Sequence, residues 1–177
     1  MDGRPATDLR AIVLRHERRL RHLDRETAMA FAADGRVLLV KIGGPRSVRF
    51  EEDEAESMFG AAVFTHNHPG DRSFSEDDVE LACTLEWGEL RAVGPTWTHV
   101  MRPGSRGWND RYWIDRLREE CLRSQMYVGD ELQADVSRGR VTRQEAEADY
   151  WHLVWERAAA AEGLEYDRYW GDRVDAD

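Results

Sequence analysis

His66 and His68 stand two residues apart in the run Thr65-His66-Asn67-His68-Pro69-Gly70, and Asp78 follows ten residues after the second histidine. In an extended strand, residues i and i+2 project from the same face, so the two imidazoles are presented together. Two imidazoles and one carboxylate leave the fourth position of a tetrahedral zinc open, as in catalytic rather than structural sites. A metal held in this way lowers the pKa of a bound water towards neutrality and polarises a substrate carbonyl. The chemistry also requires a general base within hydrogen-bond reach. A His-x-His pair alone has little specificity. The joint order of strand, His-x-His-Pro, short loop, Ser-x-x-Asp and helix has far more. Ser75-Glu76-Asp77-Asp78 matches the capping pattern in which a serine at the N-cap meets an acidic side chain three residues on, next to the positive end of the helix dipole.

The elements that must carry these residues can be read on either side. Residues 6–23 predict an amphipathic helix, with Leu9, Ile12, Val13, Leu20 and Leu23 on one stripe. Thr27 to Ala33 and Arg36 to Ile42 flank Asp34-Gly35, a hairpin signal. Gly43-Gly44-Pro45 turns the chain. Ser47 to Phe50 predicts a short third strand, and the acidic residues 51–57 a loop or short helix. Ala61 to Thr65 predicts a buried strand that runs into the histidines and is stopped by Pro69-Gly70. The helix opened by Ser75 uses Leu81, Ala82 and Leu85 as its apolar face. Two further strands are expected, from Glu89 to Val93 and from Thr96 to Arg102. From Asp110 the pattern is helical: Ile114, Leu117, Cys121, Val128 and Leu132 mark a long helix with a break near Gly129. Ser137 to Val141 predicts a turn. Thr142-Arg143-Gln144-Glu145 is a second capping box, opening a helix that ends at Gly163. Val174 to Asp177 is expected to fray. The division expected is a mixed α+β domain over residues 1–108, followed by a helical C-terminal extension over 109–177 packed on that core.

Composition narrows the function classes. The chain has 177 residues and a formal net charge of −10. Residues 1–50 carry 11 Lys and Arg against 6 Asp and Glu, whereas residues 51–177 carry 14 against 29. An acidic main body argues against sequence-independent nucleic-acid binding, which needs cations facing phosphates. The arginine-rich stretch from Arg15 to Arg25 reads as a solvated helix face. No apolar run approaches the ~18 residues of a membrane span, and no apolar segment follows the first residues as in a signal peptide. A cytoplasmic location is therefore expected. Cys83 and Cys121 lie far apart in helical sequence, which excludes a disulfide scaffold.

The run His66-Asn67-His68-Pro69 followed by Ser75-Glu76-Asp77-Asp78 resembles the His-x-His…Ser-x-x-Asp signature of JAMM metallopeptidases, also called JAB or MPN+ domains. The Thr-His-Asn-His-Pro form is most similar to bacterial and phage-borne members. The resemblance covers about residues 20–108. The spacer from Pro69 to Phe74 is six residues, one fewer than is usual in the eukaryotic deubiquitinases of the family, which leaves Asp77 as the neighbouring alternative to Asp78. The resemblance implies an α/β/α-like, cytidine-deaminase-like core with a mixed, largely antiparallel sheet. It implies one Zn²⁺ held by His66, His68 and Asp78, with Ser75 stabilising the oxyanion. It also implies a glutamate near the start of an early strand that handles the proton of the attacking water. Glu26, 40 residues before His66, fits that place better than Glu51, Glu52, Glu54 or Glu56. The implied activity is hydrolysis of a peptide or isopeptide bond in a protein or peptide substrate, ubiquitin-like proteins being substrates of some family members. The alternative is a phage or mobile-element scaffold protein that keeps the fold without the activity.

The remaining candidates carry plainer expectations. His99 is read as a strand residue, and His16, His22 and His152 as solvated helix residues. Cys83 is read as packed, and Trp151 and Trp155 as a packing stripe four residues apart on one helix.

Overall fold

Strand β1 (Thr27–Phe31) shows how the sequence builds two cores. Its five residues are all buried, and the four after Thr27 alternate between two separate clusters. Ala28 and Ala30 join the large cluster, while Met29 and Phe31 join a smaller one. The small cluster lies under α1 (Leu9–Leu20), whose Val13 and Leu20, with Leu9 and Ile12, supply the apolar stripe read from the sequence. The large cluster takes Val79 and Ala82 from α3 (Glu76–Thr84), Leu117, Cys121 and Val128 from α4 (Trp113–Ser137), and Val154, Trp155, Ala158 and Ala159 from α5 (Arg143–Glu162). Helix α2 (Glu52–Ser57) is a single short element before the strand that carries His66.

This computed structural model describes residues 8–108 and 113–171, except for the side chains of residues 113 and 114. The expected helix start at residue 6, the helical onset at Asp110, the Ile114 side chain and the fraying of Val174 to Asp177 lie outside the described residues. The fold is α+β, with five helices and one mixed six-stranded sheet among the described residues. To β1 are added β2 (Val37–Ile42), β3 (Val63–Asn67), β4 (Leu90–Val93), β5 (Trp97–Arg102) and β6 (Glu165–Trp170), in the order β2-β1-β3-β4-β5-β6. Only β3 and β4 run parallel; the other neighbours are antiparallel. A parallel pair needs a crossover, and α3 provides it. The ligand-bearing end of β3 therefore leads directly into the helix that carries Asp78. No helix among the described residues is long and apolar enough to cross a membrane.

A buried polar group ties α1 to the centre of the sheet. Arg91 donates to Glu17 through Nε at 2.6 Å and Nη2 at 3.0 Å, and the Thr65 hydroxyl donates to the same carboxylate at 2.8 Å. Glu17 and Arg91 are each only 2% exposed. On the opposite face, the Trp87 ring stacks on Phe64 with centroids 3.9 Å apart, and its Nε1 donates to Met58 O. That contact fixes the side chain two residues before His66.

Three expectations need correction. Ser47 to Phe50 is not a strand: the chain folds back after β2 with Gly44 N donating to Ser47 O, and Val48 and Phe50 pack on the core without sheet partners. The long helix is not broken at Gly129. A side chain there would meet open space, and Val128 and Leu132 pack on the core on either side of it. The C-terminal extension is not wholly helical. After α5 ends at Gly163, at φ 73°, β6 pairs with all six residues of β5.

Candidate metal centre

The register of the sheet assembles the site. Ala28 pairs with His66 across β1 and β3, so Glu26, two residues before Ala28, falls on the same face as His66 and His68. Asn67 sits between the histidines and points the other way. Its Oδ1 accepts from Thr27 N at 2.7 Å, and its Nδ2 donates to Leu23 O and Arg25 O. Asn67 thus holds the segment that carries Glu26. The sequence reading passed over it, and the available signal was a polar residue enclosed between two ligand positions in a buried strand.

The two imidazole Nε2 atoms are 2.9 Å apart. Asp78 Oδ1 is 3.4 Å from His66 Nε2, and Oδ2 is 3.7 Å from His68 Nε2. A tetrahedral metal with bonds of ~2.0–2.1 Å to its ligands separates its donors by roughly 3.3 Å. The spacings fit that arrangement, and these three residues form a group that could hold a metal ion. Asp77 is exposed and stands outside that group, so of the two neighbouring carboxylates Asp78 is the one near the histidines.

The groups around the ligands orient them. His68 Nδ1 lies 3.0 Å from Arg72 O and donates to it, which leaves Nε2 as the free lone pair. Ser75 is the N-cap of α3. Its hydroxyl accepts from Asp78 N, while its own N–H and O–H both donate to Asp78 Oδ2 at 2.7 Å. Asp78 Oδ1 is thereby turned towards the histidines. His66 is 1% exposed, and its Nδ1 lacks a well-formed hydrogen bond beside the Arg91 backbone.

The electrostatics follow from burial and mutual proximity. Burial pulls His66 down, but Asp78, Glu26 and the Arg91 backbone together outweigh it and hold His66 above its ordinary value. His68 is lowered to about 4, first by burial and then by repulsion from His66. Asp78 is held well below the usual carboxylate range: burial raises it, but His66, His68 and Ser75 together prevail. Glu26 is 8% exposed, and its carboxylate has no hydrogen-bond partner among the described residues. Burial raises its pKa, with His66 opposing and Asp78 adding. Glu26, His68, Ser75 and Asp78 line one cleft of about 860 Å³, together with Arg46, Arg72 and Trp151 among others.

The plainer candidates divide. Trp155 is core, as expected, and Trp151 also packs against the core while lining the cleft. Cys83 packs against the core, and burial pushes its thiol up. His152 is not solvated: its Nδ1 is 3.0 Å from the Tyr166 hydroxyl. His99 is buried on β5 and reaches the same hydroxyl at 2.8 Å.

The site thus combines three residues that could hold a metal ion, an open cleft and a buried carboxylate without a hydrogen-bond partner, a set that could serve metal-assisted hydrolysis. No family profile, curated protein or solved structure matches the chain.

Proposed function

We propose that this chain is a zinc-dependent hydrolase of peptide or isopeptide bonds, akin to the JAMM metallopeptidases and built on their cytidine-deaminase-like core. One observation carries the reading: His66, His68 and Asp78 converge at metal-binding spacing while the unpaired Glu26 carboxylate shares their cleft. His66 and His68 would hold the ion through Nε2, and Asp78 through Oδ1. Zn²⁺ bound there supplies Lewis acidity, acidifying a water and polarising the substrate carbonyl.

The chain's own residues supply the rest. Glu26 accepts the proton of the attacking water and passes it to the leaving nitrogen as the C–N bond breaks. Its raised pKa brings the carboxyl closer to the neutral range where such a shuttle works best. Ser75 orients Asp78. Its hydroxyl proton is committed to Oδ2, so hydrogen bonding to a developing oxyanion requires that bond to be released. Arg72 O fixes the His68 tautomer.

The test is elemental mass spectrometry of purified protein, followed by a peptide and isopeptide screen with Glu26→Gln as the control. The expectation is one Zn²⁺ per chain, retained in Glu26→Gln while hydrolysis falls at least about 100-fold. A fully active Glu26→Gln would place the base elsewhere. Protein that takes up no zinc when supplied with it would favour a scaffold role.

A further inference from the structure

The loop between His68 and Ser75 sets where the third ligand stands, and it is anchored at both ends. At its start, Asp71 takes up φ 56° and its Oδ1 accepts from Thr96 N and Trp97 N. Gly94 makes room for this, since a Cβ there would collide with the Asp71 carboxylate. At its end, two buried residues, Ser73 and Phe74, immediately precede the N-cap. Phe74 meets His99 of β5 edge-on, and three further contacts of the pair come from the part of the chain after residue 142. Phe74 O accepts from Trp155 Nε1 at 2.7 Å, and the Phe74 ring meets Tyr166 edge-on. Ser73 Oγ is 3.0 Å from the Tyr166 hydroxyl.

Tyr166 is therefore a junction. Its hydroxyl meets Ser73, His99 Nδ1 and His152 Nδ1, joining the loop, β5, α5 and β6 at one oxygen. A phenol has one proton to donate and two lone pairs, so three partners saturate it and define its position. Tyr166 does not line the cleft, whereas Ser73 does. The hydrogen-bonded route from Tyr166 towards the ligands runs through Ser73 and the loop.

We infer that Tyr166 is a positioning residue for the metal centre: through Ser73 it fixes the loop that places Ser75 and Asp78 opposite the histidines, which makes β6 a working part of the site. The inference rests on the metal-binding reading above. Both histidines are held neutral by burial, His99 lowered to about 3 and His152 to about 4, so the junction stays uncharged through the neutral range.

The experiment measures Zn²⁺ affinity by chelator competition for the wild type, Tyr166→Phe, Ser73→Ala and the double variant. Tyr169→Phe serves as the matched control, because it loses a hydroxyl from the same strand on the other face of the sheet. Loss of a direct outer partner of a metal ligand weakens binding by about 10–100-fold; each single change here acts one contact further out, so the expected effect is at the low end, about tenfold. The double variant should bind no more weakly than the weaker single, because one path is cut twice. Tyr169→Phe should match the wild type. In the Co²⁺-loaded proteins, the visible absorption bands should shift for Tyr166→Phe and not for Tyr169→Phe. Should Tyr166→Phe not fold, Ser73→Ala removes the same bond from the loop side and decides alone. Affinity within twofold of the wild type for the Tyr166 and Ser73 variants, or losses that simply multiply in the double variant, would overturn the inference and leave the metal site standing. A wild type that binds neither Zn²⁺ nor Co²⁺ would overturn both.

Discussion

Replacing Glu17 by Gln keeps the shape of the buried group beneath the His66 strand and removes its charge. In the native protein, Arg91 makes two hydrogen bonds to Glu17 and Thr65 a third, all to one carboxylate. A carboxamide offers only one oxygen, and its NH₂ turns a donor towards other donors. Arg91 would retain Glu89, at 2.7 Å, as its remaining anionic partner. Removing one member of a buried ion pair costs about 3–5 kcal/mol, because the other is left as a poorly compensated buried charge. For a chain of this size, about 1 kcal/mol corresponds to roughly 2–4 °C, so Tm should fall by roughly 6–20 °C. Urea unfolding monitored by tryptophan fluorescence measures the same loss at 25 °C as a lower midpoint with an unchanged slope. Replacing both partners by apolar residues, Glu17→Leu with Arg91→Met, should recover much of the stability, since no buried charge then lacks a partner. A Glu17→Gln loss under about 1 kcal/mol, or a double variant no more stable than the single, would refute the argument that charge desolvation governs this site.

Two other perturbations probe the metal centre. Ser75→Ala removes the N-cap of α3 and one donor to Asp78 Oδ2. It should lower stability by about 1 kcal/mol in thermal melts and weaken Zn²⁺ by about tenfold in chelator competition. Lowering the pH from 6 to 5 should weaken Zn²⁺ binding by about tenfold, with close to one proton released per ion in calorimetry. The sign follows from the two imidazoles: His66, held above its ordinary value, is protonated in that window and must lose its proton to bind, whereas His68, lowered to about 4, is already neutral. Release of two protons would mean that His68 is also charged, and release of none would remove His66 from the ligand set.

The parts of the site legible in the sequence are those set by short-range rules. Strand periodicity put His66 and His68 on one face, and the Ser-x-x-Asp cap located both the start of α3 and the carboxylate that turns back to it. The box at Thr142 and the glycine at 163 likewise marked both ends of α5. What escaped depends on partners distant in the chain. β6 is Glu165-Tyr-Asp-Arg-Tyr-Trp170, in which charged and aromatic residues follow no period-two order, and its pairing with β5 gives it its conformation. Val48 and Phe50 have the alternation of a strand, but no neighbouring strand pairs with them. The role of Asn67 lies in three bonds to backbone some forty residues upstream, which no local pattern encodes.

The pairing of β5 with β6 has a consequence for biosynthesis. The about 60 residues separating the two strands take roughly 3–12 s to translate at about 5–20 residues per second. During that interval β5 has no partner on its outer side and offers open backbone to any other nascent chain. Strands β1 to β5 and the histidines emerge first, while Tyr166 and Trp155 arrive last. On a ribosome the site would therefore mature in order, with His66, His68 and Asp78 made early and the contacts that hold their loop completed only when residue 170 has emerged. A ribosome stalled before β6 should carry a chain with all three of these residues and a sheet edge still open.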